Sequence, residues 1–456
     1  MSVAAAQVGS ADVDALHAEL LALLGPRGVS VDRRVRERAS VDGAKMSPII
    51  VEQLPLGMAD LVAFPTSAEQ IAQVVGAAVR HGVAITPRGK GTGNYGQAIP
   101  MPGGLVLDLS RARAVVEVGE GVVTAEAGAS MVSLEQAARE TGQELWIYPS
   151  TAQSSIGGFL GGGSGGTGSL VHGSSSMGFV VALDVVHAVP DATLVHVEGE
   201  EAQAYLHNYG VTGIIARATV RLDPVHDWCG YYASFDTFED LLRVLRPIGN
   251  LTPTPRLVSG DLPTLANALP EDPAIPADRA SLRAILDAST VEQATALVES
   301  VGGRLEDVRP GPQPCVKIST LSYNHPIEWL QKTSPGTYFH LEVGGHALID
   351  RLEEVHAVFE GGMLHIEAQY DGSPIGMLAG VYASPEQVYA GIDALRALGV
   401  GVHSPHQWHV DFEVDRTRAL AARNDPQGLL NPGKLVTERA PGAGKTMGGR
   451  TTVRAS

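Results

Sequence analysis

The chain has 456 residues, 44% of them hydrophobic and 5% aromatic, a composition that is ordinary for globular proteins and a length that suits about two to three domains. Its 33 basic and 50 acidic residues give a formal net charge of −17, which disfavours a nucleic acid as partner. No signal-peptide pattern opens the chain and no stretch approaches about 18 uninterrupted apolar residues, so we expect a cytoplasmic protein without a membrane span.

The first half of the sequence alternates strand and helix patterns. Residues 1–56 predict a helical extension, with a helix over 10–25 that ends at Gly25-Pro26. A strand near 62–65 leads into a helix over 67–80, which opens with the capping-box pattern Thr66–Glu69, and a strand begins at Val83. Further strands are predicted at 105–109, 114–118, 122–126, 180–189, 193–197 and 214–222, with a helix over 132–141. This order predicts an α+β domain with two sheets over 57–225.

A domain boundary is predicted at residues 223–227, where the sequence reads DPVHD. Beyond it, over 228–400, we predict strands near 229–235, 281–287, 315–320, 337–343 and 363–369, and helices over 237–246, 290–301, 348–358 and 385–397. This order favours an antiparallel sheet with helices on one face. The residues from 437 to 456 are rich in Gly, Arg and Thr without periodicity, so we expect a disordered tail.

A first glycine loop spans residues 87–97 and contains the pattern G-x-G-x-x-G at Gly91–Gly96. A Rossmann dinucleotide site needs a helix to begin there, but Pro100 and Pro102 follow and exclude one. Closely spaced glycines instead expose backbone N–H groups that can converge on an anion. A plain flexible loop is the alternative for this segment.

A second glycine segment spans residues 154–169, with eight glycines among positions 157–168. It lies between strand patterns inside a predicted domain, so something must offset the entropy of ordering it. A long cofactor lying against bare backbone would do so, whereas a linker would be expected between domains.

Four further motifs accompany the glycine segments. They are Phe64–Glu69 (FPTSAE), Gly104–Arg111 (GLVLDLSR), Gly210–Ile215 (GVTGII) and Asp425–Lys434 (DPQGLLNPGK). Together the segments and motifs resemble the FAD-binding domain, of the p-cresol methylhydroxylase (PCMH) type, that vanillyl-alcohol oxidase, p-cresol methylhydroxylase and UDP-N-acetylmuramate dehydrogenase share. The resemblance implies a two-subdomain FAD-binding domain over 57–225, a substrate (cap) domain over 228–400 and a return to the FAD domain over 401–436.

The same resemblance implies FAD as cofactor and suggests which residues bind it. They are Arg88, Gly89, Lys90, Gly91, Thr92, Gly93, Asn94, Gln97, Ser154, Ser155, Ile156, Gly157, Gly158, Gly161, Gly165, Gly166, Gly168, Ser169, Gly213, Ile214, Ile215, Asn431 and Lys434. Some members bond the flavin to a histidine where this chain has Thr92, or to a cysteine that the second glycine segment lacks. We therefore expect non-covalent FAD, with His172 as the alternative point of attachment.

The resemblance also implies an oxidoreductase that passes a hydride from a small alcohol, phenol, amine or hydroxy acid to flavin N5, with dioxygen or another acceptor reoxidising the flavin. Histidine suits proton transfer near neutral pH, so His406 is the first catalytic candidate. His340, His365 and Tyr370 are the further candidates. No metal is expected, because Pro405 breaks any helical ligand spacing in the stretch His403–His409. A flavin-dependent cyclase or rearrangement enzyme and a non-enzymatic ligand-binding protein are the alternatives, and a homodimer is possible.

Overall fold

The computed structural model of the protein describes residues 10–54, 56–163 and 165–435. The tail at 437–456 that the sequence predicts to be disordered lies outside the described residues. Three β-sheets follow one another along the described part of the chain.

The first sheet has four strands, in the spatial order β1-β2-β4-β3. The strands are β1 (Val29–Ser30), β2 (Leu61–Ala63), β3 (Ile85–Arg88) and β4 (Leu105–Asp108), and β2 and β3 both run parallel to β4. The helices of this region are α1 (Ser10–Leu24), α2 (Arg33–Ala39), α3 (Pro48–Gln53) and α4 (Ala68–Arg80). The N-cap of α4 is Ser67, whose hydroxyl accepts the Gln70 N–H. The helix therefore begins within one residue of the prediction, but its cap lies one residue after Thr66, the cap that the predicted pattern indicates.

The second sheet has six strands, in the order β5-β6-β10-β8-β9, with β7 also paired to β10. They are β5 (Val115–Gly119), β6 (Val122–Glu126), β7 (Gln143–Leu145), β8 (Val180–Val186), β9 (Leu194–Glu198) and β10 (Ile214–Pro224). The helices are α5 (Met131–Arg139), α6 (Ile156–Gly162), α7 (Ser169–His172) and α8 (Gly199–Gln203). Apolar side chains of the first two sheets and of α4 form one core, which holds the two predicted sheets together.

The third sheet is antiparallel and has eight strands, in the order β14-β11-β13-β12-β16-β17-β15-β18. They are β11 (Trp228–Phe235), β12 (Leu257–Asp261), β13 (Ala280–Asp287), β14 (Arg304–Pro310), β15 (Tyr338–Gly344), β16 (Met363–Glu367), β17 (Ile375–Val381) and β18 (Gly401–His403). The helices are α9 (Phe238–Gly249), α10 (Pro263–Ala268), α11 (Val291–Ser300), α12 (Pro312–Ser319), α13 (His325–Thr333), α14 (Ala347–Asp350), α15 (Leu352–Ala357), α16 (Pro385–Ala397) and α17 (Val414–Asn424).

Helices cover both faces of the third sheet, so the prediction of helices on one face is wrong. Neighbouring residues of β11 show this, because Tyr231 packs in a core with α9 whereas Tyr232 packs in another with α12. The strand predicted at 315–320 is part of helix α12. Its β-branched residues suggested a strand, but Pro312 starts a helix in which Cys315 and Ile318 face the sheet.

The C-terminal segment contacts the first sheet. Leu430 pairs in parallel with Ile85, and the Asn431 N–H donates to the Ile85 carbonyl at 2.7 Å. This pairing brings the motif Asp425–Lys434 beside the first glycine loop, which follows β3.

Candidate active site

A cavity of about 1560 Å³ lies between the two glycine segments and the third sheet with its helices, a region that we name the cap. It exceeds the roughly 300–1,000 Å³ of a typical small-molecule site. All of the predicted cofactor-binding residues line it except Ile156, Gly166, Gly168, Asn431 and Lys434. Most of the residues predicted from the two glycine segments therefore lie together on one wall of the cavity. Their contact with a ligand stays a prediction.

The two glycine segments touch each other at the floor of the cavity. A Cβ atom on Gly89 would lie 2.0 Å from the Ser155 hydroxyl oxygen and 3.5 Å from Gly158 Cα. Thr92 Oγ1 and Ser154 Oγ form a second link, at 2.9 Å. Only a glycine permits the close approach at position 89, and it leaves backbone at the cavity surface.

Bare backbone also forms the surface of helix α6. Ser155 caps the helix by accepting the Gly158 N–H at 3.3 Å. A Cβ on Gly161 would meet nothing within 4 Å, and one on Gly162 would come no closer than 3.7 Å to its neighbours. These glycines therefore face open cavity, which a side chain would fill and a long cofactor can occupy.

Gly166 and Gly168 serve packing instead. Their Cβ atoms would lie 2.0 Å and 1.8 Å from the carbonyl oxygens of Tyr148 and Trp146. Between them Thr167 forms a β-bridge with Tyr148. The sequence does not distinguish glycines that pack against backbone from glycines that face the cavity, because the difference depends on neighbours that are distant along the chain.

The C-terminal motif holds the cavity wall from behind. Asn431 Nδ2 donates to the carbonyls of Gln97 and Tyr209, both at 2.9 Å. Lys434 Nζ donates to the Gly96 carbonyl at 2.5 Å, and burial lowers the pKa of Lys434 to about 8. Asn431 and Lys434 thus position the first glycine loop and the loop at Tyr209 without lining the cavity.

Four ionisable side chains on the cavity wall form a continuous chain of hydrogen bonds, which we name the His403 cluster: Tyr95, Glu342, His403 and Asp411. His403 Nδ1 lies 2.7 Å from Glu342 Oε2, and His403 Nε2 lies 2.7 Å from Asp411 Oδ2. Tyr95 donates its hydroxyl to the other oxygen of Glu342. The members come from the first glycine loop, strand β15, strand β18 and the segment before α17.

The cluster keeps its members charged except for the phenol. Burial opposes the charge on His403, but Glu342 and Asp411 raise its pKa well above the ordinary value. Burial likewise opposes ionisation of Glu342, yet His403 and the Tyr95 hydrogen bond lower its pKa to about 2. For Asp411 too, His403 outweighs burial and lowers the pKa. Burial and Glu342 raise the pKa of Tyr95, which stays neutral.

The sequence-predicted catalytic residues lie elsewhere, apart from Tyr370, which lines the cavity and is half exposed. His406 and His340 are buried behind the wall, with ring centroids 6.2 Å apart, and His406 Nδ1 lies 2.6 Å from Ser47 Oγ. His365 is fully buried between Asp261 and Glu367. The position of these three histidines favours a structural role over direct contact with ligand.

The His403 cluster itself was missed, although part of its signal was visible. Glu342 lies two residues after His340, on the same face of a predicted strand, and His403 is the first residue of the histidine-rich stretch. What the sequence does not reveal is that Tyr95 and Asp411 meet these residues in space. Among the described residues, no group of three or more His, Cys, Asp and Glu side chains is arranged to hold a metal ion. In that same part of the chain, none of the helices is long and apolar enough to cross a bilayer.

Comparisons with known proteins indicate an FAD-binding domain in the first half of the chain. A family model described as an FAD binding domain matches residues 59–198. An uncharacterized FAD-linked oxidoreductase of Mycobacterium tuberculosis is 28% identical over 196 residues, which are 40% of this chain and 42% of the relative. A D-lactate dehydrogenase of Archaeoglobus fulgidus is 26% identical over 193 residues, 40% of this chain and 43% of the relative. The chain thus matches about two fifths of the length of these curated relatives.

A solved structure of alkyldihydroxyacetonephosphate synthase superposes with a TM-score of 0.73 at 18% identity, covering 92% of this chain and 84% of that one. This similarity shows a shared fold. The fold, the glycine-lined cavity and the matched domain define an FAD-binding flavoprotein. Within that class, residues 59–198 match the FAD binding domain, and the shared fold extends over most of the described chain.

Proposed function

We propose that the protein is an FAD-dependent oxidoreductase, an oxidase or dehydrogenase, that removes a hydride from a small organic substrate. The observation that carries the proposal is the His403 cluster, which lines the same cavity as the two glycine segments. The names of relatives support it, since they include FAD-linked oxidoreductases and a D-lactate dehydrogenase. Those names make a hydroxy acid the first substrate class to consider.

The residues present fit a non-covalently held FAD. The cavity-facing backbone of Gly161 and Gly162 leaves room for a long cofactor, and Arg88 and Lys90 would supply positive charge for its phosphates. When bound, the flavin supplies the hydride acceptor. His172 is an unsuitable point of attachment, because it stacks on Trp146 at 4.2 Å between ring centroids and pairs with Asp223 outside the cavity lining.

The His403 cluster supplies a place for the substrate's proton. Two carboxylates and one imidazolium leave it with a single net negative charge, so one added proton makes it neutral. A partly buried site favours that change, because a net charge is poorly solvated there. The cluster titrates as a unit, with Glu342, the member next to the Tyr95 hydroxyl, as the group nearest to an incoming substrate hydroxyl.

The test is the substitution Glu342→Gln, which keeps the shape of the side chain and removes its charge. We expect full FAD content and a rate of flavin reduction by substrate that is about 10²–10⁴-fold lower, the scale of a lost acid–base group. Anaerobic stopped-flow absorbance, normalised to bound FAD, measures that rate.

Glu354→Gln is the matched control, because Glu354 is an exposed residue paired with Arg351 in the cap and should leave the rate unchanged. A Glu342→Gln variant that reduces its flavin as fast as the wild type would remove the cluster from the mechanism. Turnover of substrate without any bleaching of the wild-type flavin would favour a non-redox use of the cofactor and contradict the proposal.

A further inference from the structure

We infer that the substrate is an uncharged alcohol, in place of the hydroxy acid that the names of relatives suggest. The inference rests on the proposed oxidoreductase function. It follows from how the charges that line the cavity are paired.

The cationic side chains that the cap contributes to the cavity lining are already neutralised. Within the described residues, Lys317 Nζ pairs with Asp272, and Lys332 Nζ lies 3.2 Å from Glu328 Oε1. His403 is shared by two carboxylates. His325 also pairs with Glu328, at 3.0 Å, so among the described residues the cap wall leaves no unpaired cation to receive a substrate carboxylate.

The remaining cations of the lining belong to the other wall. Arg88 and Lys90 lie on the first glycine loop and would hold the phosphates of FAD. Arg88 is also tied down, since its Nη1 donates to the Val41 carbonyl at 2.6 Å. A substrate anion would have to compete with the cofactor for these two side chains.

The groups near the proton-accepting residues repel an anion. His403 lowers the pKa values of Glu342 and Asp411, which keeps both carboxylates charged, and Glu413 lies two residues from Asp411 in the cavity lining. A carboxylate beside Glu342 would meet like charge in a site of low polarity. A cationic amine is disfavoured beside the same residue, because the His403 imidazolium already occupies the inner side of Glu342.

A neutral hydrogen-bonding group, in contrast, is available at this place. Asn324 Oδ1 is a buried atom of the cavity wall without a hydrogen-bond partner among the described residues. Asn324 Nδ2 lies 3.5 Å from the Tyr95 hydroxyl, so the unpaired amide oxygen is beside the His403 cluster. A buried polar atom without a partner is costly, and a substrate hydroxyl can supply the missing partner.

The experiment compares pairs of compounds that differ only in the carboxylate. Holoenzyme is mixed anaerobically with glycolate or ethylene glycol, with D-lactate or 1,2-propanediol, and with glycerate or glycerol, followed by larger polyols and benzyl alcohol. A contact between like charges in the site should lower the efficiency of flavin reduction by a factor on the order of 100 or more. We expect neutral alcohols to reduce the flavin at least about 100-fold more efficiently than their acids.

Two outcomes would overturn the inference alone, and a third would also overturn the proposed function. Reduction by an acid that equals or exceeds its neutral partner overturns the inference and leaves the oxidoreductase function intact. Reduction by ethanolamine but by none of the alcohols overturns it as well. If dithionite bleaches the flavin but no compound of either class does, the proposed function fails together with the inference.

Discussion

Individual glycines of the second glycine segment have two different roles. Gly161 faces the open cavity, whereas Gly166 and Gly168 lie against backbone of the neighbouring segment. The glycine content of the segment and its place inside a domain predicted contact with a cofactor. The structure shows which of its glycines have open space beside them. The difference is testable, because filling a cavity-facing position should affect ligand binding more than folding.

We predict that Gly161→Leu binds FAD roughly 10–100-fold more weakly than the wild type, the effect of overfilling a packed site. The apoprotein should be as stable as the wild type or more so, because a glycine within a helix costs about 0.5–1 kcal/mol relative to alanine. Fluorescence titration with FAD and thermal unfolding of the apoprotein measure the two effects.

Gln136→Leu is the control, since it places the same side chain on an exposed position of helix α5 and should leave FAD affinity unchanged. Wild-type affinity in Gly161→Leu would mean that the cofactor does not lie against α6. A large loss of apoprotein stability would mean that the space beside Gly161 is needed for folding.

The buried histidines His340 and His406 make a prediction about pH. Burial lowers the pKa of His340 to about 4, and burial with the nearby His340 lowers that of His406 to about 3. The unfolded chain takes up protons below the ordinary value of 6.5, while the folded protein does not. Stability should therefore fall between pH 6.5 and about 4, by up to about 1.4 kcal/mol per pH unit for each histidine.

His340→Phe should reduce that loss, because one of the two buried imidazoles is gone. Urea unfolding of the apoprotein at pH 7 and pH 5 gives the comparison, with His17→Phe on helix α1 as a control that keeps the wild-type drop. An equal drop in His340→Phe and wild type would show that His340 is protonated in the folded state.

At the scale of elements, the sequence predicted segments whose ends carry a local signal. Helix α16 lies where the sequence placed it, because Ser384 caps it and Pro385 occupies its first turn. Strand β17 was missed, since Gly376 and Gly380 weaken its strand pattern. The reason for Gly380 is tertiary: a Cβ there would lie 2.7 Å from the Cβ of Phe359.

One loop of the cavity wall, residues 320–325, is held by a buried ionic network. Arg283 Nη2 donates to the Leu321 carbonyl at 3.0 Å, and Glu367 Oε1 accepts the Tyr323 N–H at 2.7 Å. Between these contacts, His365 bonds both Asp261 and Glu367. Burial opposes its charge, yet the two carboxylates raise the pKa of His365 to about 9.

We predict that Glu367→Ala lowers the free energy of unfolding by about 3–5 kcal/mol, the cost of leaving a buried charge without its partner. Glu354→Ala, which breaks an exposed pair, should leave the free energy of unfolding nearly unchanged. Chemical denaturation of both apoproteins provides the comparison. Equal small losses would show that the buried network does not stabilise the cap.

In the molecule as a whole, the sequence pointed to the glycine-lined wall of the cavity and missed the opposite wall. The glycine segments carry a local pattern, so they could be recognised from the residues themselves. The His403 cluster joins Tyr95 to Glu342, His403 and Asp411, and the folded arrangement of both domains brings them together. No local signal records that arrangement.

The visible absorption spectrum of the purified protein tests whether this cavity holds FAD. After incubation with FAD and gel filtration, we expect the absorption bands of an oxidised flavin at about one FAD per chain, and acid precipitation should release the flavin into the supernatant. Flavin retained in the precipitate would contradict non-covalent binding. A colourless protein that takes up no FAD would contradict the account as a whole.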